Sequence, residues 1–473
     1  MWYIPVTLDT EAPTARGRWR SPAIAALLSF VWPGLGQLYA GRRRLAAIFA
    51  APAALVLLLL LYQMRQGLLV FGARLVNPRF ALAAFLVVVV LGVWRAVSVA
   101  HAFLAGEPPK TRRTLQRGFA GALVAIVVLS HSAAGYVLWV GYEAGSKAFS
   151  PISPLIVEAT QPPSLPPGAT PAPATPTATV TEPPIGSRVT ILFTGVDADP
   201  TRGEQLYDSI MVVSYDPPTN SVQMVSVPRD SASFPLYFGG QVSANVRINS
   251  LPTYVRNGWV RSPDPPYTTL VKEIAYLVGI PINYYAVMDL EGFVKMVDMV
   301  GGIDVNNPSE INDPSYATPV GTILGFQLSA GPHHLDGNQA LAYVRSRHGS
   351  NNSDWARASR QQEVLVSLLH RMSEPSKFLQ LPNLISTLGS SVTTNFPAEQ
   401  VADYVAVGQS IPAGNFKQVV LGPPTYTITN FPHTSSASTT CLLNYRVAEL
   451  SVQLFGKDST WYGKPPPANT CPI

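Results

Sequence analysis

Long apolar stretches dominate the first third of the chain. Three of them contain no acidic residue or lysine and lie at 45–62, 80–97 and 118–142. Each has about the length that a helix needs to cross a hydrocarbon core of about 30 Å. A further stretch at 21–41 is interrupted by Pro33, Gly34 and Gly36, so it is either a re-entrant hairpin or a fourth span. Residues 1–149 are therefore predicted to form a helical membrane region, and anchoring helices are favoured over a channel.

After residue 187 the pattern changes to short β-branched runs that alternate with segments of helical spacing. The predicted strands are 189–193, 210–215, 221–227, 283–288 and 303–305, and the predicted helices are 268–278, 290–300, 336–343 and 357–370. This alternation predicts an α/β fold, an α-β-α sandwich whose sheet is covered on both faces. We expect the domain at 187–375, with 376–473 completing or extending it. Residues 150–186 are rich in Pro, Thr and Ala, which predicts a semi-rigid linker.

The charge distribution separates these two parts of the chain. Only 13% of the residues are charged, against about 25% in an ordinary soluble domain. Residues 1–150 hold 15 Lys+Arg and 4 Asp+Glu, whereas the remainder holds 18 and 24. Basic residues beside apolar stretches are typical of membrane topology and not of a nucleic-acid surface. No nucleic-acid partner is therefore expected.

Two basic clusters set the expected orientation. Arg42–Arg44 precedes the first of the three stretches, and Lys110, Arg112, Arg113 and Arg117 precede the last. If both clusters are cytoplasmic, the chain leaves the membrane outward after residue 142. We therefore expect a multi-pass protein of the cell membrane with an extracytoplasmic domain. In that compartment Cys441 and Cys471 are expected to form one disulfide, with two unpaired buried thiols as the alternative.

Arginines occur at several element ends of the predicted domain. Arg229 follows a strand, Arg345 and Arg347 lie two residues apart after a helix, and Arg357 and Arg360 share a face of the next helix. Guanidinium forks in such positions can bind phosphate or carboxylate oxygens in pairs. The alternative is that they form ion pairs with the abundant acidic residues of the domain.

Two aspartates stand at the ends of the first two predicted strands. Asp197 follows the first strand and Asp208 precedes the second. If these strand ends are neighbours, the two carboxylates can hold Mg²⁺, which takes one or two carboxylates together with phosphate oxygens. Turn or helix-capping roles are the alternative. His333 and His334 are adjacent but lack an acidic partner at ligand spacing, so we do not interpret them as a metal pair.

Several short motifs follow one another through the predicted domain. They are GVD at 195–197, DSIM at 208–211, SVPRD at 226–230, RIN at 247–249, GIPINYY at 279–285, GGIDV at 301–305 and HHLDG with QALAYVRSR at 333–347. In this order they resemble the LytR-CpsA-Psr family, over about 185–375. The membrane region and the last hundred residues add little to the resemblance.

The resemblance implies an extracytoplasmic domain that binds a polyprenyl-pyrophosphate carrier. Members move a glycopolymer, with its linking phosphate, from that lipid to a peptidoglycan hydroxyl. By position, it assigns catalysis to Arg229, Arg345, Arg347 and Asp354, substrate binding to Arg357, Arg360, Arg202, Asp230, Arg247 and Gln361, and magnesium binding to Asp197 and Asp208. The lipid tail would need an apolar tunnel, for which Phe293, Val297 and Val300 are candidates, although each could simply belong to the core.

The chain departs from the family pattern at two positions. Leu206 stands where the family usually has an arginine, and Ala198 where it often has a basic residue. Arg202 is close enough in sequence to supply a missing phosphate contact. The departure at Leu206 motivates an alternative, a non-catalytic module that binds prenyl phosphate or cell wall and senses or scaffolds envelope assembly. An intracellular transcription attenuator, a label the family has carried, is disfavoured by the basic clusters.

Overall fold

The structure, a computed structural model, describes residues 21–105, 113–149, 183, 186–197, 205–242, 246–317, 324–347, 353–372, 387, 389, 391–429, 439–466 and 471. Arg202, Ala198 and almost all of the predicted linker lie outside these residues. The helices are α1 Pro22–Val31, α2 Leu35–Tyr39, α3 Arg43–Met64, α4 Leu68–Arg74, α5 Pro78–Leu104, α6 Arg113–Ala148, α7 Leu251–Arg256, α8 Pro266–Val278, α9 Leu290–Met299, α10 Gly337–Arg345, α11 Asp354–Met372, α12 Val401–Ser410 and α13 Asn444–Phe455. The strands are β1 Val189–Asp197, β2 Leu206–Asp216, β3 Ser221–Ser226, β4 Tyr284–Asp289, β5 Ile303–Asn307, β6 Ile311–Ala317, β7 Leu324–Leu328, β8 Gly331–Leu335, β9 Val392–Thr394, β10 Phe416–Val420, β11 Thr427–Thr429 and β12 Thr440–Leu442.

Three helices are long and apolar enough to cross a membrane. They are α3, α5 and residues Thr114–Ala148 of α6, and they contain the three apolar stretches found in the sequence. The stretch at 21–41 forms α1 and α2, separated by a turn at Gly34 with a φ of 97°. At 1.5 Å per residue the ten residues of α1 reach about 15 Å, half of a hydrocarbon core. This length favours the hairpin interpretation over a fourth span.

The hairpin of α1 and α2 packs around a buried polar contact with α5. Ser29 Oγ donates to Gln37 Oε1 at 3.0 Å, and Gln37 Nε2 donates to the Ser98 carbonyl at 2.9 Å. All three residues are fully buried. A polar group without a hydrogen-bond partner costs several kcal/mol in hydrocarbon. Because these side chains satisfy one another, their contact stabilises the packing of the hairpin against α5.

The chain divides into two compact units. One comprises 1–65 and 82–139, and the other comprises 66–81 and 140–473. In the second unit, α4 packs through Val70 and Ala73 against Ala402 of α12. The short segment between α3 and α5 therefore belongs to the same body as the α/β domain.

The α/β domain is built on a six-stranded sheet of order β10-β3-β2-β1-β4-β9. β1 runs parallel to β4 and β3 parallel to β10, whereas β2 is antiparallel to both β1 and β3. One face packs Leu192 and Val212 against α8 and α13, and the other packs Met211 and Met224 against α11. The predicted α-β-α class is thus confirmed, because helices cover both faces.

Strand direction concentrates polar residues at one edge of the sheet. β1, β3, β4 and β10 point the same way, so their carboxyl ends meet where β2 begins. Asp197 ends β1, Arg229 follows β3, and Asp208 lies near the start of β2. Ligands of such sheets bind outside the carboxyl ends of the strands, so this edge is the place to look for a site.

The C-terminal segment is tied to the loop that follows β3. The Thr440 N–H donates to the Asp230 carbonyl at 3.1 Å, and the Ala232 N–H donates to the Thr440 carbonyl at 2.8 Å. Cys441 is bonded to Cys471, with their Cα atoms 5.7 Å apart, which confirms the predicted disulfide over two free thiols. Residues 439–466 and Cys471 therefore belong to the fold of the domain.

Candidate active site

A charged cavity opens at the carboxyl edge of the sheet. Its lining includes four arginines and one carboxylate, namely Arg229, Arg345, Arg347, Arg357 and Asp208, together with Val344 and Gln361. The sequence places these arginines on three separate segments, and the fold brings them around one space. The cavity wall therefore presents mainly guanidinium N–H donors, as a site for a phosphate-like anion requires, while Asp197, Asp230 and Asp354 pair with three of these arginines.

Arg229 is fixed by acidic neighbours on both sides. It forms an ion pair with Asp208, and its Nε lies 3.4 Å from Asp230. Asp230 is buried and also contacts Arg247 Nη1 at 3.1 Å. Burial alone would lower the pKa of Arg229, but the carboxylates of Asp208 and Asp230 outweigh it and the pKa is raised. Asp230 and Arg247 thus orient Arg229 from behind, and Arg247 does not line the charged cavity.

Arg345 and Arg347 flank the end of α10. This helix starts at a capping box in which Asp336 accepts from the Gln339 N–H at 2.8 Å. Between the two arginines, the buried Ser346 donates its hydroxyl to Asp313 at 2.8 Å. Anchoring this intervening residue leaves both guanidinium groups at the cavity, as the spacing of two residues predicts for extended chain.

Arg345 lines the cavity and carries a donor that no described residue pairs with. Its Nη2 lies 3.4 Å from Asp197, whereas its buried Nη1 has no hydrogen-bond partner among the described residues. A buried N–H group without a partner carries a desolvation cost of about 1–3 kcal/mol. A phosphate oxygen in the cavity would relieve that cost.

Arg357 is a strongly buried cation in the same cavity. Its Nη1 lies 3.0 Å from Asp354, whose Oδ1 is also 3.8 Å from Arg347. Burial, followed by the nearby charge of Arg229, lowers the pKa of Arg357 to about 10. The guanidinium remains protonated at neutral pH at an electrostatic cost of about 3 kcal/mol. An anionic ligand would reduce this cost, so the local field favours anion binding.

Not every predicted site residue reaches the cavity. Arg360 lies behind it, where its Nη2 donates to the Ser346 carbonyl at 2.7 Å and its guanidinium faces the Tyr343 ring at 5.3 Å. Arg360 thus contacts the turn between Arg345 and Arg347 and does not line the charged cavity, and its binding of substrate stays a prediction. Arg202 lies outside the described residues. Gln361 lines the cavity.

Asp197 and Asp208 stand at adjacent strand ends. Gly195 pairs with Ser209 and Val196 with Tyr207, so a bulge leaves Asp208 as the extra residue. No group of three or more His, Cys, Asp or Glu that could hold a metal occurs among the described residues. Two carboxylates fit Mg²⁺ that shares its remaining positions with phosphate oxygens and water. They do not fit a closed cage made of protein ligands alone.

An apolar cavity adjoins the charged one. Its walls include Phe193, Met211, Leu290, Phe293, Leu365 and Leu368, and it has a volume of about 100 Å³ and is partly open to solvent. Asp208, Arg345 and Gln361 line both cavities. Of the three sequence candidates for a lipid tunnel, Phe293 lines this cavity. Val297 and Val300 are instead buried in the core.

Two residues of the site were missed in the sequence. Trp355 and Thr440 line a third space, which we call the polar slot, together with Asp208, Arg229, Asp230, Asp354 and Arg357. Trp355 could have been identified from the sequence, because it is an aromatic residue in a polar stretch directly after Asp354. Nothing in the sequence indicated Thr440, because it lies in a serine- and threonine-rich run 80 residues beyond Arg360.

Fold and site together define a class, an α/β domain that follows helices apolar enough to cross a membrane and that carries an arginine-lined cavity beside an apolar one. Residues 172–429, more than half of the chain, match the LytR-CpsA-Psr family. The chain belongs to this family.

Named relatives share part of this length. The chain is 30% identical over 206 residues to the polyisoprenyl-teichoic acid–peptidoglycan teichoic acid transferase TagV of Bacillus subtilis. These 206 residues cover 43% of this chain and 49% of TagV. It is 31% identical to TagU of Bacillus mycoides, a transferase with the same descriptive name, over 46% of this chain and 62% of TagU. The chain therefore spans about half to three fifths of these relatives. The crystal structure of B. subtilis TagV superposes with a TM-score of 0.46 at 23% identity, covering 59% of this chain and 98% of TagV.

Proposed function

We propose that this protein is a membrane-anchored phosphotransferase of cell envelope assembly. It moves a glycopolymer, with its linking phosphate, from a polyprenyl-pyrophosphate carrier to a peptidoglycan hydroxyl. The observation that carries the proposal is the apolar cavity that opens onto the four-arginine cavity, with Arg345 lining both. The ligand that satisfies both spaces has an apolar chain joined to a strongly anionic head.

The chemistry follows from the charges of the site. Phosphoryl transfer depends mainly on positioning and on neutralising charge on the phosphate oxygens. Arg229, Arg345 and Arg357 hold the pyrophosphate in a fixed place, because each is braced by a carboxylate. Magnesium held by Asp197 and Asp208 would neutralise further charge on the phosphates. The names of TagV and TagU describe the same lipid-linked donor class and the same acceptor polymer.

The site is proposed to face the outside of the cell. The segment between α3 and α5 and the end of α6 belong to the same compact unit as the domain, so these helix ends lie on the domain's side of the membrane. The basic residues at 42–44 and 110–117 then lie on the opposite side, which the positive-inside rule makes cytoplasmic. The Cys441–Cys471 disulfide is also typical of an oxidising compartment.

We expect the full chain in detergent to transfer glycan from a synthetic polyprenyl-pyrophosphate oligosaccharide to peptidoglycan fragments. The reason is that the charged and apolar cavities together hold a carrier lipid. Product is measured by mass spectrometry. Chelation with EDTA is expected to lower the rate by at least about 100-fold, and added Mg²⁺ to restore it.

Each result decides between the candidate functions. Saturable binding of the lipid without turnover under any divalent metal would select the non-catalytic binding module. Neither binding nor turnover would overturn both. Full activity in EDTA would remove magnesium from the proposal and leave the transferase.

Reporter fusions at the C-terminus test the topology. Alkaline phosphatase fused there is expected to be active, because it folds only outside the cytoplasm. Green fluorescent protein fused there is expected to give no fluorescence, because it does not fold correctly after export by the general secretion route. Fusions placed after Arg43 serve as the matched control and should give the reverse pattern. A fluorescent C-terminal fusion would contradict an extracytoplasmic domain.

A further inference from the structure

The polar slot and the apolar cavity lie on different sides of Asp208 along the sheet. The apolar cavity takes strand residues from β1, β2 and β4, whereas the slot takes them from β2, β3 and β10. In sheet order, β2 separates these two sets of strands. Asp208 and Gln361 are common to the apolar cavity, the charged cavity and the slot, so the charged cavity lies where the other two meet.

Several buried polar atoms of the slot have no hydrogen-bond partner among the residues that the structure describes. They are Thr440 Oγ1, Trp355 Nε1 and Arg357 Nε, whereas Asp354 Oδ1 is held in an ion pair with Arg357 Nη1 at 3.0 Å. Thr440 and Arg357 are 8% and 6% exposed, so bulk water does not satisfy their side chains. Buried polar groups are nearly always paired, and a cluster of exceptions calls for a ligand or ordered water.

The mixture of these groups indicates the chemistry of the ligand. The indole and guanidinium N–H groups donate, the Asp354 carboxylate accepts, and the Thr440 hydroxyl does both. A hydroxyl group on the ligand can satisfy both kinds of partner. A phosphate oxygen only accepts, and Asp354 would repel it. The slot therefore matches the hydrogen-bonding chemistry of a hydroxyl group, such as one carried by a glycan.

The wall that carries Thr440 lies beyond the region matched by the family, which ends at residue 429. β12 is held there by its main-chain hydrogen bonds to Asp230 and Ala232. Cys441, the next residue, is bonded to Cys471. These contacts fix Thr440 in the slot, next to the loop that carries Arg229.

We propose that the polar slot is the acceptor subsite and that Thr440, supplied by the disulfide-closed C-terminal segment, helps to select the acceptor. This proposal rests on the proposed function. The acceptor hydroxyl oxygen bonds to the glycan-bearing phosphorus, and the P–O bond to the lipid phosphate breaks with its electron pair on the departing prenyl phosphate. The hydroxyl proton passes to the Asp354 carboxylate. Attack from the slot with departure toward the apolar cavity places the two oxygens on opposite sides of the phosphorus, as in-line transfer requires.

Three substitutions of Thr440 in the full chain test the subsite. Thr440→Trp fills the slot and is expected to raise the acceptor KM by at least about tenfold. Thr440→Val keeps the shape but removes the hydroxyl, and about a fivefold rise is expected from one lost hydrogen bond. Thr440→Ser keeps the hydroxyl and should restore the wild-type KM. Donor affinity is measured separately by titration with the polyprenyl-pyrophosphate oligosaccharide. It should stay at the wild-type value in the variants whose acceptor KM rises.

Thr460→Trp is the matched control. Thr460 is exposed and does not line the slot, so its acceptor KM should equal that of the wild type. If Thr440→Trp impairs folding, the Val and Ser variants decide the question alone.

The results separate this proposal from the function on which it rests. An unchanged acceptor KM in the Trp and Val variants, with normal wild-type transfer, overturns the subsite alone. A wild-type protein that neither turns over donor nor transfers glycan overturns the proposed function.

Discussion

Replacing Arg345 by alanine is expected to lower the transfer rate by about a thousandfold or more. Arg345 lines both the charged and the apolar cavity, so it stands where the lipid tail joins the anionic head. Its buried Nη1 has no hydrogen-bond partner among the described residues, and its Nη2 is oriented by Asp197 at 3.4 Å. Removing one preorganised donor from such a site costs about 10²–10³ in rate, and removing an arginine that stabilises a phosphoryl group costs about 10³–10⁵.

The conservative variant separates charge from geometry. Arg345→Lys keeps the positive charge but loses the planar fork, so it should recover only part of the rate. Initial rates with the polyprenyl-pyrophosphate oligosaccharide give the comparison, and thermal unfolding in detergent reports whether the variants remain folded.

Arg446→Ala is the matched control for the loss of an arginine. Arg446 is exposed on α13 and pairs with Glu449, and surface ion pairs of this kind contribute about 0–1 kcal/mol. Its rate should equal that of the wild type. Undiminished turnover in a folded Arg345→Ala protein would remove this arginine from the mechanism.

Local pattern was enough to predict most of the sheet and its helices. The β-branched run at 210–215 lies within β2, and the helical spacing at 268–278 lies within α8, which begins two residues earlier. The order of strands in the sheet could not be predicted in this way, because it depends on packing between distant segments. The approach of Arg229, Arg345 and Arg357 to one another depends on the same long-range packing. It could be predicted only from the family resemblance.

The errors in the candidate site have a common physical cause. Helical spacing places Arg357 and Arg360 on one face of α11, yet Arg357 reaches the cavity and Arg360 turns to the Ser346 carbonyl. Spacing cannot tell which of two neighbours on a face meets solvent and which meets another turn. The position of Thr440 at the site could not be predicted for a related reason. The hydrogen bonding of β12 to the loop after β3 is a long-range contact that no local sequence pattern indicates.

The α/β domain is expected to lose stability as the pH rises, because of one buried carboxyl group. Glu273 on α8 is fully buried; among the described residues its Oε2 accepts the Tyr237 N–H at 3.2 Å, and its Oε1 has no hydrogen-bond partner. Lys272, its neighbour in sequence, is paired with Asp264 at 2.6 Å. Burial therefore raises the pKa of Glu273 from 4.5 to about 8, and the hydrogen bond from Tyr237 opposes this only in part.

The sign follows from the two pKa values. Below the unfolded value both states hold the proton, and the contribution of Glu273 to stability is fully present. Between the unfolded pKa of 4.5 and the folded pKa of about 8, the folded state holds a proton that the unfolded state releases, so stability falls as the pH rises. Over this window the loss amounts to about 4–5 kcal/mol, since each pKa unit is worth about 1.36 kcal/mol.

Glu273→Gln is expected to abolish this loss. The amide stays neutral and its oxygen can accept the Tyr237 N–H, but its NH2 group leaves two donors without a partner where the protonated acid leaves one. Chemical denaturation of the full chain in detergent at about pH 5 and about pH 8.5 should therefore show a slightly less stable variant at the lower pH, because of the extra unpaired donor, and a more stable variant at the higher pH. Glu291→Gln, which alters an exposed carboxylate paired with Lys295, should parallel the wild type. Wild-type and Glu273→Gln profiles that run parallel over the whole range would mean that Glu273 is ionised in the folded domain.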